Sequence, residues 1–365
     1  MPFTIDIVVG ARPNFMKVAP ILRAIHGSPF SPRLVHTGQH YDACMSDVFF
    51  RQLGIPEPDV HLGAGSGTHA EQTARILMAC EKHLLSAQPR SRGVLVVGDV
   101  NSTLACTLAA VKLMIPVAHV EGGLRSFDRS MPEEINRLVI DALADILFVS
   151  EPSGLANLRH EGIPAERVHF VGNVMIDTLV HEHAAARALD LGFLNLKGRH
   201  ALVTLHRPSN VDAEERLRGI VTVLEALAAK LTLVFPIHPR TRQRLSESGL
   251  LSRLQTHPAV RILDPLGYRE NLAVLASASA AVTDSGGIQE ESSYLGVPCL
   301  TVLPNTERPV TCTLGTNTLV GNDLDSLPQL IDQILAGNHK KGQAIAGWDG
   351  CAALRIVTAL TEVWQ

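Results

Sequence analysis

Positive charge is in short supply. The 365 residues carry 32 Lys and Arg against 36 Asp and Glu, a formal net charge of −4, so there is no basic field to hold a nucleic-acid backbone. Aromatic residues make up only 4%, which leaves few platforms for stacking bases. No apolar run approaches the roughly 20 residues needed to span a bilayer. The opening MPFTIDIVVGARP lacks a basic n-region and reads as a strand running into a loop. The six cysteines, at 44, 80, 106, 299, 312 and 351, form no C-x-x-C pair, and most sit in apolar segments, as reduced thiols of a cytosolic protein do. No zinc signature occurs among the 16 histidines, so no metal is expected. G-x-x-x-x-G-K-[ST] and G-x-G-x-x-G are also absent, which removes the P-loop and the dinucleotide fingerprint. Nucleic-acid and membrane roles drop out.

What the chain does have is alternation. Short apolar runs at 5–9, 34–37, 94–98, 116–120, 146–150 and 168–172 are separated by segments of helical period at 15–26, 68–87, 102–114, 133–143 and 153–160. Strands apolar on both faces, with helices between them, predict a parallel sheet covered on both sides. Right-handed crossovers make that a doubly wound α/β domain. The pattern weakens over 181–199, a possible linker, and restarts at 201–206, 231–237, 260–263, 280–284, 298–302 and 317–321. The expected architecture is therefore α/β, with two Rossmann-like doubly wound domains facing a cleft. The boundaries fall at 1–185 and 186–348, and a C-terminal helix over 349–365 packs back on the first domain. In such folds the ligand sits beyond the carboxyl ends of the strands.

The residues at those strand ends are polar and specific. After the first strand comes Gly10-Ala11-Arg12-Pro13-Asn14, with Lys17 one turn on; two cations beside a helix start form an anion site, or else lie on the surface. Asp99 and Glu121 follow consecutive strands. Both then emerge at one sheet edge as material for acid/base chemistry; the alternative for Asp99 is to cap the helix that begins Asn101-Ser102-Thr103. Glu133 stands in Ser130-Met131-Pro132-Glu133, which has capping-box spacing, and is four residues from Arg137, with which it can pair. It is either catalytic or a helix-start residue. In the second half His206 lies at a strand end. Asp284 closes another strand, and Ser285-Gly286-Gly287 opens a helix carrying Glu290 and Glu291. Glycines there let a phosphate approach the helix N-terminus, and a carboxylate one turn in can take ribose hydroxyls. A nucleoside diphosphate held without metal by Arg, Lys, His and a helix end fits these residues.

Eight ordered segments carry a resemblance over almost the whole chain: GARPNFMKVAP (10–20), HTGQHYD (36–42), GDVNSTLA (98–105), HVEGGLRSFDRSMPEEINR (119–137), VGNVMIDTL (171–179), TLHRPSN (204–210), TDSGGIQEE (283–291) and NTERPVT (305–311). Together they resemble the non-hydrolysing UDP-N-acetylglucosamine 2-epimerases. The resemblance implies a glycosyltransferase B-type pair of domains, with UDP bound mainly by the C-terminal one. It implies inversion at C2 of the sugar through elimination of UDP to a 2-acetamidoglucal and re-addition, with no cofactor. By motif, Asp99, Glu121 and Glu133 are the acid/base carboxylates, and His206 assists UDP departure. Arg12, Ser285, Gly286, Gly287 and Glu291 bind UDP, while Lys17, Arg137 and Arg308 are supporting cations. A homodimer is implied as well. The sequence departs from the best-known bacterial branch at Tyr41-Asp42 and at Arg207-Pro208-Ser209-Asn210, segments that in that branch help form a second, activating UDP-GlcNAc site. The competing readings are a hydrolysing relative, a 2-epimerase of a UDP-2,3-diacetamido uronic acid, a glycosyltransferase on the same scaffold, and a non-catalytic nucleotide-sugar binder.

Overall fold

A computed structural model describes residues 3–39, 50–196 and 198–364. The chain divides into two compact units, one of residues 1–181 with 346–365 and the other of residues 182–345.

In the first unit, strands β1 (Phe3–Val9), β2 (Phe30–His36), β3 (Val60–His61), β4 (Gly93–Val97), β5 (Val117–Val120), β6 (Ile146–Val149) and β7 (Val168–Phe170) form one sheet in the order β3-β2-β1-β4-β5-β6-β7. Every pairing is parallel. Residues of β4 and β6 are buried at every position, which is why these strands read as unbroken apolar runs rather than alternating ones. The two-residue β3 at the sheet edge carries too little pattern to be foreseen. The second unit repeats the scheme with β8 (His200–Thr204), β9 (Thr232–Pro236), β10 (Val260–Leu263), β11 (Ala280–Thr283), β12 (Cys299–Thr301) and β13 (Asn317–Leu319), in the order β10-β9-β8-β11-β12-β13. Each sheet reverses its strand order once, between β1 and β4 and between β8 and β11. Such switch points leave an open crevice at the strand ends.

The helix Ala352–Trp364 returns to the first unit, where it packs against the helix Arg12–Ala24. The Asp177 carboxylate accepts from the first backbone N–H groups of that returning helix, Ala352 at 3.1 Å and Ala353 at 2.7 Å. At its far end Trp364 lies nearly parallel to Phe3, with ring centroids 5.9 Å apart. Among the described residues, no helix is long and apolar enough to cross a membrane.

Two expectations about helix starts need correcting. The helix Asn101–Lys112 has Val100 at its N-cap with no side-chain cap, so Asp99 does not cap it. The helix Pro132–Leu143 likewise starts from Met131 without a side-chain cap. Ser130 is turned instead to Asp128 at 2.6 Å, and no Ser130–Glu133 capping box forms. Proline at the first helical position, with its fixed φ and missing N–H, already opens this helix.

Candidate active site

In the first unit the strand ends at the switch point gather two linked carboxylate–cation pairs. Lys17, one turn into the helix after β1, is buried and contacts the buried Glu121 after β5. Asp99, after β4, keeps 28% of its side chain exposed and takes Arg137 Nη1 at 2.5 Å. Arg137 is itself anchored by Glu134, at 2.6 Å. Glu134 is fixed in turn by the Ser126 and Phe127 backbone N–H groups at 2.9 and 3.0 Å. Burial alone would raise the Glu134 carboxyl, but the Ser126 N–H and Arg137 outweigh it, and the group sits below its usual range. Asn136 Nδ2 donates to the Asp99 carbonyl at 2.8 Å. The Arg137 partners are therefore Asp99 and Glu134 rather than the expected Glu133. Glu133 is half-buried, and among the described residues its side chain meets no hydrogen-bonding partner. Gly98 adopts φ +69° between β4 and Asp99, and a Cβ there would come within 3.0 Å of Lys17 Nζ. The positive φ favours glycine here, and a Cβ would crowd the cation that reaches Glu121. Arg12 opens the helix Arg12–Ala24.

In the second unit the organising group is one the sequence reading passed over. Asp284, directly after β11, is fully buried. It accepts from the His206 N–H at 2.9 Å, the Arg207 N–H at 2.8 Å and Asn210 Nδ2 at 3.1 Å, and it pairs with His206 Nδ1 at 2.9 Å. Burial pushes its carboxyl up, yet the bond and charge of His206 and the backbone donor of Arg207 prevail and hold it below its ordinary range. This buried anion fixes the His206 ring through Nδ1, while the side chain keeps 38% of its surface exposed. Ser285 is the N-cap of the helix Gly286–Leu295 but makes no side-chain cap bond, and Ser285, Gly286 and Gly287 are all half-buried. Arg308 lies buried between Glu290, at 2.6 Å, and Glu307, at 2.7 Å, with Nη1 only 2.8 Å from where a Cβ on Gly286 would be. Glu291 is buried in the same helix. Desolvation lifts its carboxyl to about 7, with Tyr268 opposing by a hydrogen bond and Glu290 adding like-charge repulsion.

The chain matches the family model described as UDP-N-acetylglucosamine 2-epimerase over residues 23–361. It belongs to the UDP-N-acetylglucosamine 2-epimerase family. A UDP-2,3-diacetamido-2,3-dideoxy-D-glucuronate 2-epimerase of Pseudomonas aeruginosa is 42% identical, covering 98% of this chain and 99% of the relative. The crystal structure of Methanocaldococcus jannaschii UDP-GlcNAc 2-epimerase in complex with UDP-GlcNAc and UDP superposes with a TM-score of 0.91 at 39% identity, over 98% of this chain and 99% of that one. A UDP-glucosyltransferase of Polygonum tinctorium shares the fold alone, with a TM-score of 0.61 at 14% identity over 100% of this chain and 99% of that one. These neighbours agree with a glycosyltransferase B-type, two-domain α/β fold, and as a member of its family the protein is an isomerase.

Two asparagines were also missed, and they share a signal. After the first strand of each unit the chain runs Arg-Pro and then Asn, as Arg12-Pro13-Asn14 and as Arg207-Pro208-Ser209-Asn210. Asn14 accepts from Gly10 and Ala11 N–H, both at 3.0 Å, and donates to the Val97 carbonyl at the end of β4. Asn210 bonds Asp284 and the Val302 carbonyl at 2.9 Å. In the epimerase the segment 207–210 is thus built around Asp284, while Tyr41 and Asp42 lie outside the described residues.

Proposed function

We propose that the protein interconverts UDP-N-acetylglucosamine and UDP-N-acetylmannosamine without hydrolysis. The observation that carries this is the division of chemistry between the two strand-end clusters. One supplies charge-balanced carboxylates and the other a fixed imidazole beside an open helix N-terminus. In this reading UDP lies on the second unit, with its diphosphate toward His206 and the N-terminus at Ser285, Gly286 and Gly287, and its ribose toward Glu291. Arg12 and Arg308 add positive charge. A carboxylate among Asp99, Glu121 and Glu133 removes the C2 proton. The C1–O bond electrons leave with the diphosphate, giving 2-acetamidoglucal and UDP. A carboxylate on the other face then returns a proton to C2, and UDP adds back at C1. A proton next to an acetamido carbon is weakly acidic, so the rate depends on stabilising the charge that develops on the departing diphosphate. Lys17 and Arg137 hold Glu121 and Asp99 in place through their ion pairs.

A second reading has a specific observation behind it. The Pseudomonas aeruginosa relative, 42% identical, is named for a diacetamido uronic acid nucleotide, and a change at C3 and C6 of the sugar involves few residues. The homodimer and the cytosolic setting belong to the same proposal as the main reading. Proton NMR with UDP-N-acetylglucosamine in D2O tests it. UDP-N-acetylmannosamine carrying deuterium at C2 is the expected product. Free N-acetylmannosamine plus UDP would make the enzyme a hydrolase, and no exchange would transfer the proposal to the diacetamido uronate.

A further inference from the structure

Beneath the two carboxylates of the first unit lies a buried imidazole that the reaction itself does not use. His119, on β5 and fully buried, has Nε2 2.8 Å from the Gly98 carbonyl, the peptide oxygen immediately before Asp99. Its Nδ1 is 2.7 Å from Asp141 Oδ1. The other oxygen of Asp141 accepts from the Gly123 N–H at 2.9 Å, two residues after Glu121, and holds Arg125 at 2.7 Å. One imidazole and one carboxylate thus join the backbone on which Asp99 stands to the backbone on which Glu121 stands. Desolvation opposes ionisation of Asp141, but His119, Arg125 and the Gly123 N–H together hold its carboxyl below the usual range.

The backbone at this point needs holding. Glu121 has φ +75°, the left-handed region, which costs a non-glycine residue on the order of 1–3 kcal/mol unless its surroundings impose it. The N–H groups of Glu121 and Gly122 both go to the Phe148 carbonyl at 3.0 Å, and Asp141 fixes the next one. The turn is determined from both sides.

We infer that His119, oriented by Asp141, is a positioning residue that sets the spacing between Asp99 and Glu121. This rests on the assignment of those two carboxylates to proton transfer at C2. Groups that orient the residues doing chemistry are worth about 10–100-fold in activity, because small displacements of reacting groups are costly.

His119→Asn and His119→Gln separate the two links. The Asn amide mimics Nδ1–H toward Asp141 but cannot reach Gly98, whereas the Gln amide mimics Nε2–H and retains the Gly98 link. Rates are read as deuterium incorporation at C2 of the nucleotide sugar, with KM, UDP affinity by calorimetry and thermal unfolding measured alongside. H119N is expected to lower kcat by about 10–100-fold, with KM and UDP affinity changed less than about twofold, while H119Q stays within about threefold of the wild type. A normal kcat in H119N, equal losses in the two variants, or a rise in KM matching the loss in kcat would overturn the inference. If H119N does not fold, a loss above about tenfold in folded H119Q overturns it. Asp99→Asn serves as the control: wild-type exchange there means the carboxylate assignment itself has failed, whereas inactive D99N with normal H119N defeats only the positioning role.

Discussion

Replacing Asp284 with Asn tests the second unit most directly. The carboxylate is fully buried and accepts from two backbone N–H groups, one amide and one imidazole. Asn keeps a single acceptor oxygen and turns an NH2 group toward donors, so at least one backbone N–H loses its partner inside the protein. An unsatisfied buried donor costs about 1–3 kcal/mol, and breaking a buried charged pair about 3–5 kcal/mol. Because the His206 side chain is 38% exposed, its share is screened, and about 3 kcal/mol is the reasoned loss. With a urea m-value near 3 kcal/mol/M, that lowers the unfolding midpoint by about 1 M. The assay has a built-in control. Both tryptophans, Trp348 and Trp364, belong to the first unit, so their fluorescence follows that unit while far-UV circular dichroism follows both. Asp284→Asn should shift the dichroism transition by more than the fluorescence transition, and C2 exchange should fall with it. A midpoint displaced by less than about 0.3 M would mean that Asp284 is not the ionised hub described here.

Asp99→Asn should abolish C2 exchange while leaving UDP affinity and folding nearly intact, since Arg137 retains Glu134; exchange near the wild-type rate would take Asp99 out of the chemistry. Gly286→Ala drives a Cβ to 2.8 Å from Arg308 Nη1 and 3.2 Å from Glu307 Oε1. Overpacking of this kind costs about 1–3 kcal/mol, so lower thermal stability and weaker UDP binding by calorimetry are expected, and no change in either would refute the close fit. The Glu291 carboxyl is raised from 4.5 to about 7, so its contribution to folding stability is complete below 4.5 and is lost as pH climbs through 7. Ribose hydroxyls prefer the ionised form, and the affinity for UDP-N-acetylglucosamine should therefore rise about tenfold from pH 6 to 8. Glu291→Gln should flatten that profile, and an equally steep slope in the variant would assign the titration elsewhere.

Both sheets were legible because buried parallel strands announce themselves as apolar runs, and all twelve expected runs became strands. Strand ends pointed to Asp99, Glu121 and His206 for the same reason. The hidden part was which polar neighbour holds which. Glu133 and Glu134 are four and three residues from Arg137, and helical spacing permits either to pair with it. The choice of Glu134 is made by the Ser126–Phe127 turn, which no local pattern encodes. Asp284 looked like the polar end of a strand, because its importance comes from a backbone segment 77–78 residues earlier in the chain. His119 read as one more residue of an apolar strand, and only the register of β4 against β5 puts it beside Gly98.

The returning helix Ala352–Trp364 has a consequence for how the chain is made. In the sequence the second unit lies between two parts of the first, so a ribosome delivers all of residues 182–345 before the segment that Asp177 anchors and whose Trp364 stacks on Phe3. The inserted unit is one continuous stretch, and all of it is made before residues 346–365. The first unit waits with Phe3, at the start of β1, and the Asp177 carboxylate uncovered until the helix Ala352–Trp364 arrives. Deletion of residues 352–364 should therefore injure the unit that is translated first and spare the one translated just before the deletion.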